Sequence, residues 1–244
     1  MAEWTILGSG PIAGALRDAA RFIDAPVDRA VVADGDDIPP GAVATSGAVL
    51  NPSVAHVLSD LLAFRVLEDA MRMTHRGELG ALYSVFGSCR MTRGTDSATV
   101  QQQALLPLLS YTLALRPEPV ARVWAASTSL ETQDDCLFVT LRFQDDVIVT
   151  LEALAVADSA AGTEILVEII GSERVARCEP TRQAVSVEPV GRAPQLLPWW
   201  EDGAERLLQV LAGPEPLLTD GAGLRAVWEA VLESARDGQP RFVS

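Results

Sequence analysis

The chain is 244 residues long, enough for one large domain or two small ones, and its 48% hydrophobic and 21% charged residues are a globular composition. Its 33 acids against 19 bases give a formal net charge of −14, and no basic stripe of the kind that displaces counterions from nucleic acid runs along it. Every one of the 19 bases is an arginine, which excludes Schiff-base, general-acid and P-loop lysine chemistry.

In chain order, residues 4–7 read as a buried strand, 8–10 as a glycine turn and 11–24 as a helix. Pro11 stands near the first position of that helix, where its missing N–H costs nothing. RAVVA (29–33) is a second buried strand ending at Asp34, which completes a βαβ unit. DGDDIPPG (34–41) is turn chemistry and AVATSGAVL (42–50) a third strand. Residues 51–80 read as helix, in one piece or two, closed by Gly77. The first unit, residues 1–76, is therefore about half of a usual dinucleotide domain.

From Leu79 the texture changes. Residues 81–91 alternate like a half-buried strand, 98–115 are helical, and 120–130, 136–143 and 146–157 are strands. The Gln144-Asp145-Asp146 link makes the last two a hairpin. Strands at 163–171, 174–180 and 184–190 follow, then a Pro-rich loop and two closing helices at 199–212 and 221–237. Residues 77–244 thus form a second unit. The expected fold class is α/β plus α+β: a shortened Rossmann-like unit followed by a mainly antiparallel open sheet with helices on one face.

Cys89, Cys136 and Cys178 are odd in number and far apart, without a CxxC pair, which fits a reducing compartment and neither a disulfide framework nor a zinc site. The opening MAEWTILGSG lacks the basic start and long apolar core of a secretion signal. The apolar stretch around 104–115 is broken by Pro107 and Ser110 and is too short for a bilayer. The expectation is a cytoplasmic protein with no metal, nucleic-acid or membrane partner.

GSGPIAGA (8–15) and the ending PLLTDGAGLRAVWEAVLESARDGQP (216–240) carry a resemblance. The chain resembles the Gfo/Idh/MocA oxidoreductases, the glucose–fructose oxidoreductase and inositol dehydrogenase family, over most of 3–35 and 77–244. The resemblance implies a two-domain NAD- or NADP-dependent dehydrogenase of sugars or polyols. In that reading Gly8, Ser9, Gly10, Pro11, Ile12 and Ala13 receive the pyrophosphate at a helix N-terminus. Asp34, at Rossmann spacing from Gly10, binds the ribose hydroxyls. The C-terminal sheet shapes the substrate pocket and pairs subunits, so a homo-oligomer is expected, with a full-length dehydrogenase as an alternative partner.

The departures fall on the chemistry. The family's Glu-Lys-Pro motif has no counterpart, since there is no lysine. In the helix where the family carries an Asp and a His, this chain reads QQQALLPLLSYTLALRPEP (101–119), with Leu or Pro at the histidine position and Ser110 near the acid. Alcohol oxidation needs a group to take the hydroxyl proton, and leucine and proline cannot. The residues left as catalytic candidates are Tyr111 and His56, each weighed against a plain structural role. Arg90, Arg93 and Gln103 are the substrate-binding candidates, the arginines against a simple surface role. His75 reads as a dipole partner at a helix C-terminus. Cys89 reads as a small buried hydrophobe, and one of Trp199 and Trp200 as an interface anchor.

Three functions stay open: a divergent NAD(P)-binding oxidoreductase of a sugar- or polyol-like molecule; a catalytically inactive pseudo-dehydrogenase serving as partner subunit or small-molecule binder; and a pocket recruited for nicotinamide-independent lyase, isomerase or cyclase chemistry.

Overall fold

The structure is a computed structural model that describes residues 5–7, 16–17, 30–32, 43–45, 56–129, 135–157, 162–180, 184–189, 195–198, 203–212 and 217–243. Its architecture is mixed α/β, built on two sheets.

The first sheet holds β1 (Thr5–Leu7), β2 (Ala30–Val32), β3 (Val43–Thr45) and β4 (His56–Leu58), all parallel and in that spatial order. Leu7 lies opposite Val32, and Thr45 opposite Leu58, so the carboxyl ends of all four strands share one edge. β4 corrects the expectation of helix throughout 51–80. An apolar triplet with Val57 and Leu58 buried cannot be told from a helix turn by periodicity, and here its backbone completes a ladder. Helical structure starts one step later. Ser59 caps a 3-10 turn (Asp60–Ala63) by accepting from Leu61 N, and α1 (Arg65–His75) follows, ending at Gly77 with φ +71°. The last member, β13 (Leu218–Asp220), returns from far along the chain to pair antiparallel with β4.

The second sheet has nine strands: β5 (Leu82–Thr92), β6 (Val120–Thr128), β7 (Cys136–Phe143), β8 (Ile148–Ala157), β9 (Glu164–Gly171), β10 (Arg174–Glu179), β11 (Ala184–Pro189), β12 (Gln195–Pro198) and β14 (Arg241–Phe242). Their order is β12-β11-β10-β9-β5-β8-β7-β6-β14, antiparallel except for the parallel β5–β8 pair. The β7–β8 hairpin turns where expected, with Asp146 left-handed at φ 68° and its carboxylate accepting from Arg142 Nε at 3.0 Å.

Side-chain alternation gives this sheet two faces. Val85, Gly87 and Cys89 of β5, with Val149, Leu151 and Ala153 of β8, point inward to the core. Gly87 allows the closest approach: a Cβ there would stand 3.1 Å from Leu108 and 3.0 Å from Leu151. Against this face lie α2 (Ser97–Val100), a π turn (Gln101–Leu105), α3 (Leu106–Leu115) and α5 (Gly221–Asp237). α4 (Gly203–Ala212) packs on the 3-10 turn. α3 is apolar all round because it is buried all round: it packs on β5 and β8 on one side, and on β4, β13 and α1 on the other.

Candidate functional site

A dinucleotide turn would sit at the carboxyl edge of the first sheet. The residues expected to form it (Gly8, Ser9, Gly10, Pro11, Ile12, Ala13 and Asp34) lie outside the described residues, as do Trp199 and Trp200. What is described is their frame. β1 and β2 are parallel neighbours whose last residues, Leu7 and Val32, face each other. The glycine turn in sequence after Leu7 and the acid shortly after Val32 therefore follow adjacent strand ends at one edge, the arrangement that βαβ dinucleotide sites require. The described strands run in sequence order, with no reversal between neighbours of the kind that opens a crevice in doubly wound sheets.

Sequence reasoning missed two residues at this edge, Ser59 and Asp60, because it took their surroundings for helix. They follow the carboxyl end of β4. The fully buried Ser59 hydroxyl donates to the Pro107 carbonyl at 2.9 Å, tying the edge to α3. Asp60 opens the 3-10 turn beside it, half-buried.

The helix expected to line the pocket has an unusual middle. Pro107 has no N–H to give Gln103, and the turn ahead of it widens to π spacing, with Leu106 N donating to Gln101 O. Gln102 and Gln103 are exposed on that turn, whereas Leu106, Pro107 and Leu108 lie in the core. Where the resemblance would put a histidine, these side chains are packed in the core. Ser110 turns its hydroxyl to Pro107 O at 3.0 Å, and Ser110 O accepts from Thr219 Oγ1 at 2.6 Å.

Tyr111 is only 1% exposed, and its hydroxyl donates to Leu67 O at 2.8 Å. Burial, with the nearby Cys178, pushes its phenol well above the ordinary range. It serves the core, not a pocket. His56 opens β4, opposite Val43 and Asp220, so it stands at the amino end of a three-residue strand, away from the carboxyl edge at which the glycine turn is expected. His75 acts on a different helix from the one expected: its Nε2–H donates to Ala114 O and Leu115 O, at 3.1 and 3.2 Å, capping the carboxyl end of α3. Cys89 is buried, and burial pushes its thiol up to about 12.

The three substrate-binding candidates do not converge. Arg90 is even-numbered on β5 and faces outward, while Gln103 belongs to the helix on the inner face, so the sheet separates them. Arg93 is exposed in the turn after β5.

No known family profile and no curated protein matches the chain. Solved structures do. An oxidoreductase domain protein from Kribbella flavida superposes with a TM-score of 0.77 at 13% identity, over 100% of this chain and 99% of that one. An inositol dehydrogenase homologue from Azotobacter vinelandii, complexed with NAD+, gives 0.71 at 13% identity, over 99% and 97%. A levoglucosan dehydrogenase in complex with NADH gives 0.68 at 14%, over 100% and 90%. The shared property is the fold, that of Rossmann-like oxidoreductases.

Proposed function

We propose that the chain is a divergent Gfo/Idh/MocA-type homologue that binds NAD or NADP through the ADP half and has lost the family's hydride-transfer relay. It acts as a pseudo-dehydrogenase, a small-molecule binder or partner subunit. The observation that carries the cofactor part is the parallel register of Leu7 with Val32, which supports the glycine turn and Asp34 acting at one edge. In that reading the backbone N–H groups of residues 8–13 hold the pyrophosphate and Asp34 accepts from the ribose. Bound there, the cofactor would supply a hydride acceptor. The solved neighbours with NAD+ and NADH support the same reading, and their inositol and levoglucosan names support a polyol or sugar as the second ligand.

The loss of chemistry rests on side chains already accounted for. Tyr111 spends its hydroxyl in the core and His56 stands at the amino end of β4, so neither is placed to take a substrate proton.

Titration with NADH and NADPH, followed by nicotinamide fluorescence and thermal shift, tests this. Saturable binding that Gly10→Val abolishes, with no reduction of NAD+ by inositol or levoglucosan, is the expected result. No response at millimolar cofactor sinks the dinucleotide site and leaves lyase, isomerase or cyclase use of the pocket. Turnover sinks the loss of relay and restores the divergent active enzyme.

For a partner we propose a second copy on the outer face of the large sheet. Trp124, Ile148 and Phe242 are 41%, 48% and 80% exposed there, toward the β14 end, with Arg142 and Arg122 between Ile148 and Phe242 in the cross-strand row, a mixed face that assembly would cover. Size exclusion with light scattering should give a dimer. A monomer, or a co-purifying full-length dehydrogenase, would count against it.

A further inference from the structure

At the other end of that outer face, β5, β9 and β10 enclose a concavity of about 240 Å³, lined by Phe86, Ser88, Arg90, Glu164, Leu166 and Arg177 among others. It lies across the sheet from α3, away from the cofactor edge.

One of its groups is buried without a partner, and two exposed charges beside it form no ion pair among the described residues. Ser88 is 4% exposed, with Glu152 and Leu166 as cross-strand neighbours, and its hydroxyl has no hydrogen-bond partner among the described residues. A buried hydroxyl left so is costly and calls for a partner. Arg90, two residues on along the same face, forms no ion pair with any described residue. Glu164 lies directly opposite Arg90 in the β5–β9 register and forms no ion pair with any described residue either, so the two charges flank the hollow without neutralising each other. Arg177 shows what satisfaction looks like here: Glu168 holds it at 2.9 Å and Glu179 at 3.2 Å.

We infer that this concavity binds a small zwitterionic carboxylate of the α-amino-acid class, held between Ser88, Arg90 and Glu164. The guanidinium fork of Arg90 takes the carboxylate, and the Ser88 hydroxyl donates to it. Glu164 takes the ammonium, and an apolar side chain lies on Phe86 and Leu166. Other ligand classes leave a charge uncompensated. A dianion meets Glu164 and Glu179, a simple amine leaves Arg90 unmatched, and a neutral sugar leaves both charges. The volume suits a ligand of amino-acid size and is too small for a dinucleotide.

Calorimetric titration of the full chain with L-leucine, isocaproate (leucine without its ammonium) and isoamylamine (leucine without its carboxylate) tests the site. Leucine is expected to bind with a Kd of about 1 mM or tighter, and each half-ligand about tenfold more weakly. Arg90→Gln should weaken leucine and isocaproate about tenfold and spare isoamylamine, while Glu164→Gln should do the reverse. Ser88→Ala should weaken leucine about fivefold, yet leave the unliganded protein as stable as the parent or more so, since it deletes an unpartnered hydroxyl. No leucine binding at roughly 20 mM overturns the proposal, and so does unchanged affinity in Arg90→Gln. If Ser88→Ala and Arg90→Gln instead convert a dimer to monomer without any leucine response, a side chain of a second copy fills the hollow and the amino-acid site is overturned.

Discussion

The Tyr111 hydroxyl donates to the Leu67 carbonyl at 2.8 Å across the α1–α3 interface, entirely within the core. This bond decides what the only phenol near the expected pocket is for. Tyr111→Phe should therefore cost about 1 kcal/mol of stability, the net worth of one buried hydrogen bond. It should leave NADH binding untouched. Urea unfolding beside a cofactor titration reads both, and a binding defect without a stability loss would return Tyr111 to the site.

The ending that resembles the dehydrogenase family has a local structural reason. Thr219 ties β13 to α3 through Ser110 O, and Asp220 caps α5, its carboxylate accepting from Gly223 N at 2.6 Å. Asp220→Ala should lower stability by about 1 kcal/mol, as loss of an N-cap does. Asp220→Asn, which keeps an acceptor, should recover most of it in the same thermal melts.

Alkaline pH should unfold the protein early. Burial pushes the Cys89 and Cys178 thiols up to about 12, with Asp69 adding to the effect at Cys178. Each folded thiol holds its proton more tightly than the unfolded one. The stability this contributes is fully present below the unfolded thiol value of about 8.5 and is lost as pH rises toward about 12. Each thiol should give a slope of about 1.4 kcal/mol per pH unit within that window. Urea midpoints at a series of pH values measure it, and Cys178→Ala should shallow the slope. An unaltered slope in that variant would mean the thiol is not the titrating group.

Gly171→Ala should be among the most damaging single changes. A Cβ at Gly171 would overlap Leu79 O, the carbonyl that also accepts from Glu173 N in the β9–β10 turn. Backbone cannot yield as a flexible side chain does, so a loss of about 3 kcal/mol is expected, read by thermal shift. Gly77→Ala differs: nothing lies within 4 Å of its Cβ and only the left-handed φ resists, so its cost should be about 1 kcal/mol.

The large sheet was legible in the residues because alternation is a local property. Residues 136–143 and 146–157 carry it, and the link between them carries its own turn chemistry. β4 and β13 were not legible. Each is three residues long, and what makes them strands is their pairing with each other and with β3, not a pattern of their own. The same limit governs the sites. That Ser88 and Arg90 share a face follows from their spacing, but that Glu164 stands opposite Arg90 follows only from the register of β9. Tyr111 lies in the helix that the count gave, but that its hydroxyl turns to Leu67 in the core follows only from how α1 packs on α3.

β13 joins the first sheet as the partner of β4, yet eight of the second sheet's nine strands lie between them along the chain. During synthesis the free edge of β4 therefore stays unpaired until residues 218–220 have been made. Exposed strand edges recruit other strands, so a polypeptide truncated ahead of β13 carries an aggregation-prone edge that the complete one covers. The first sheet, begun at residues 5–7, is completed only after eight strands of the second have been made.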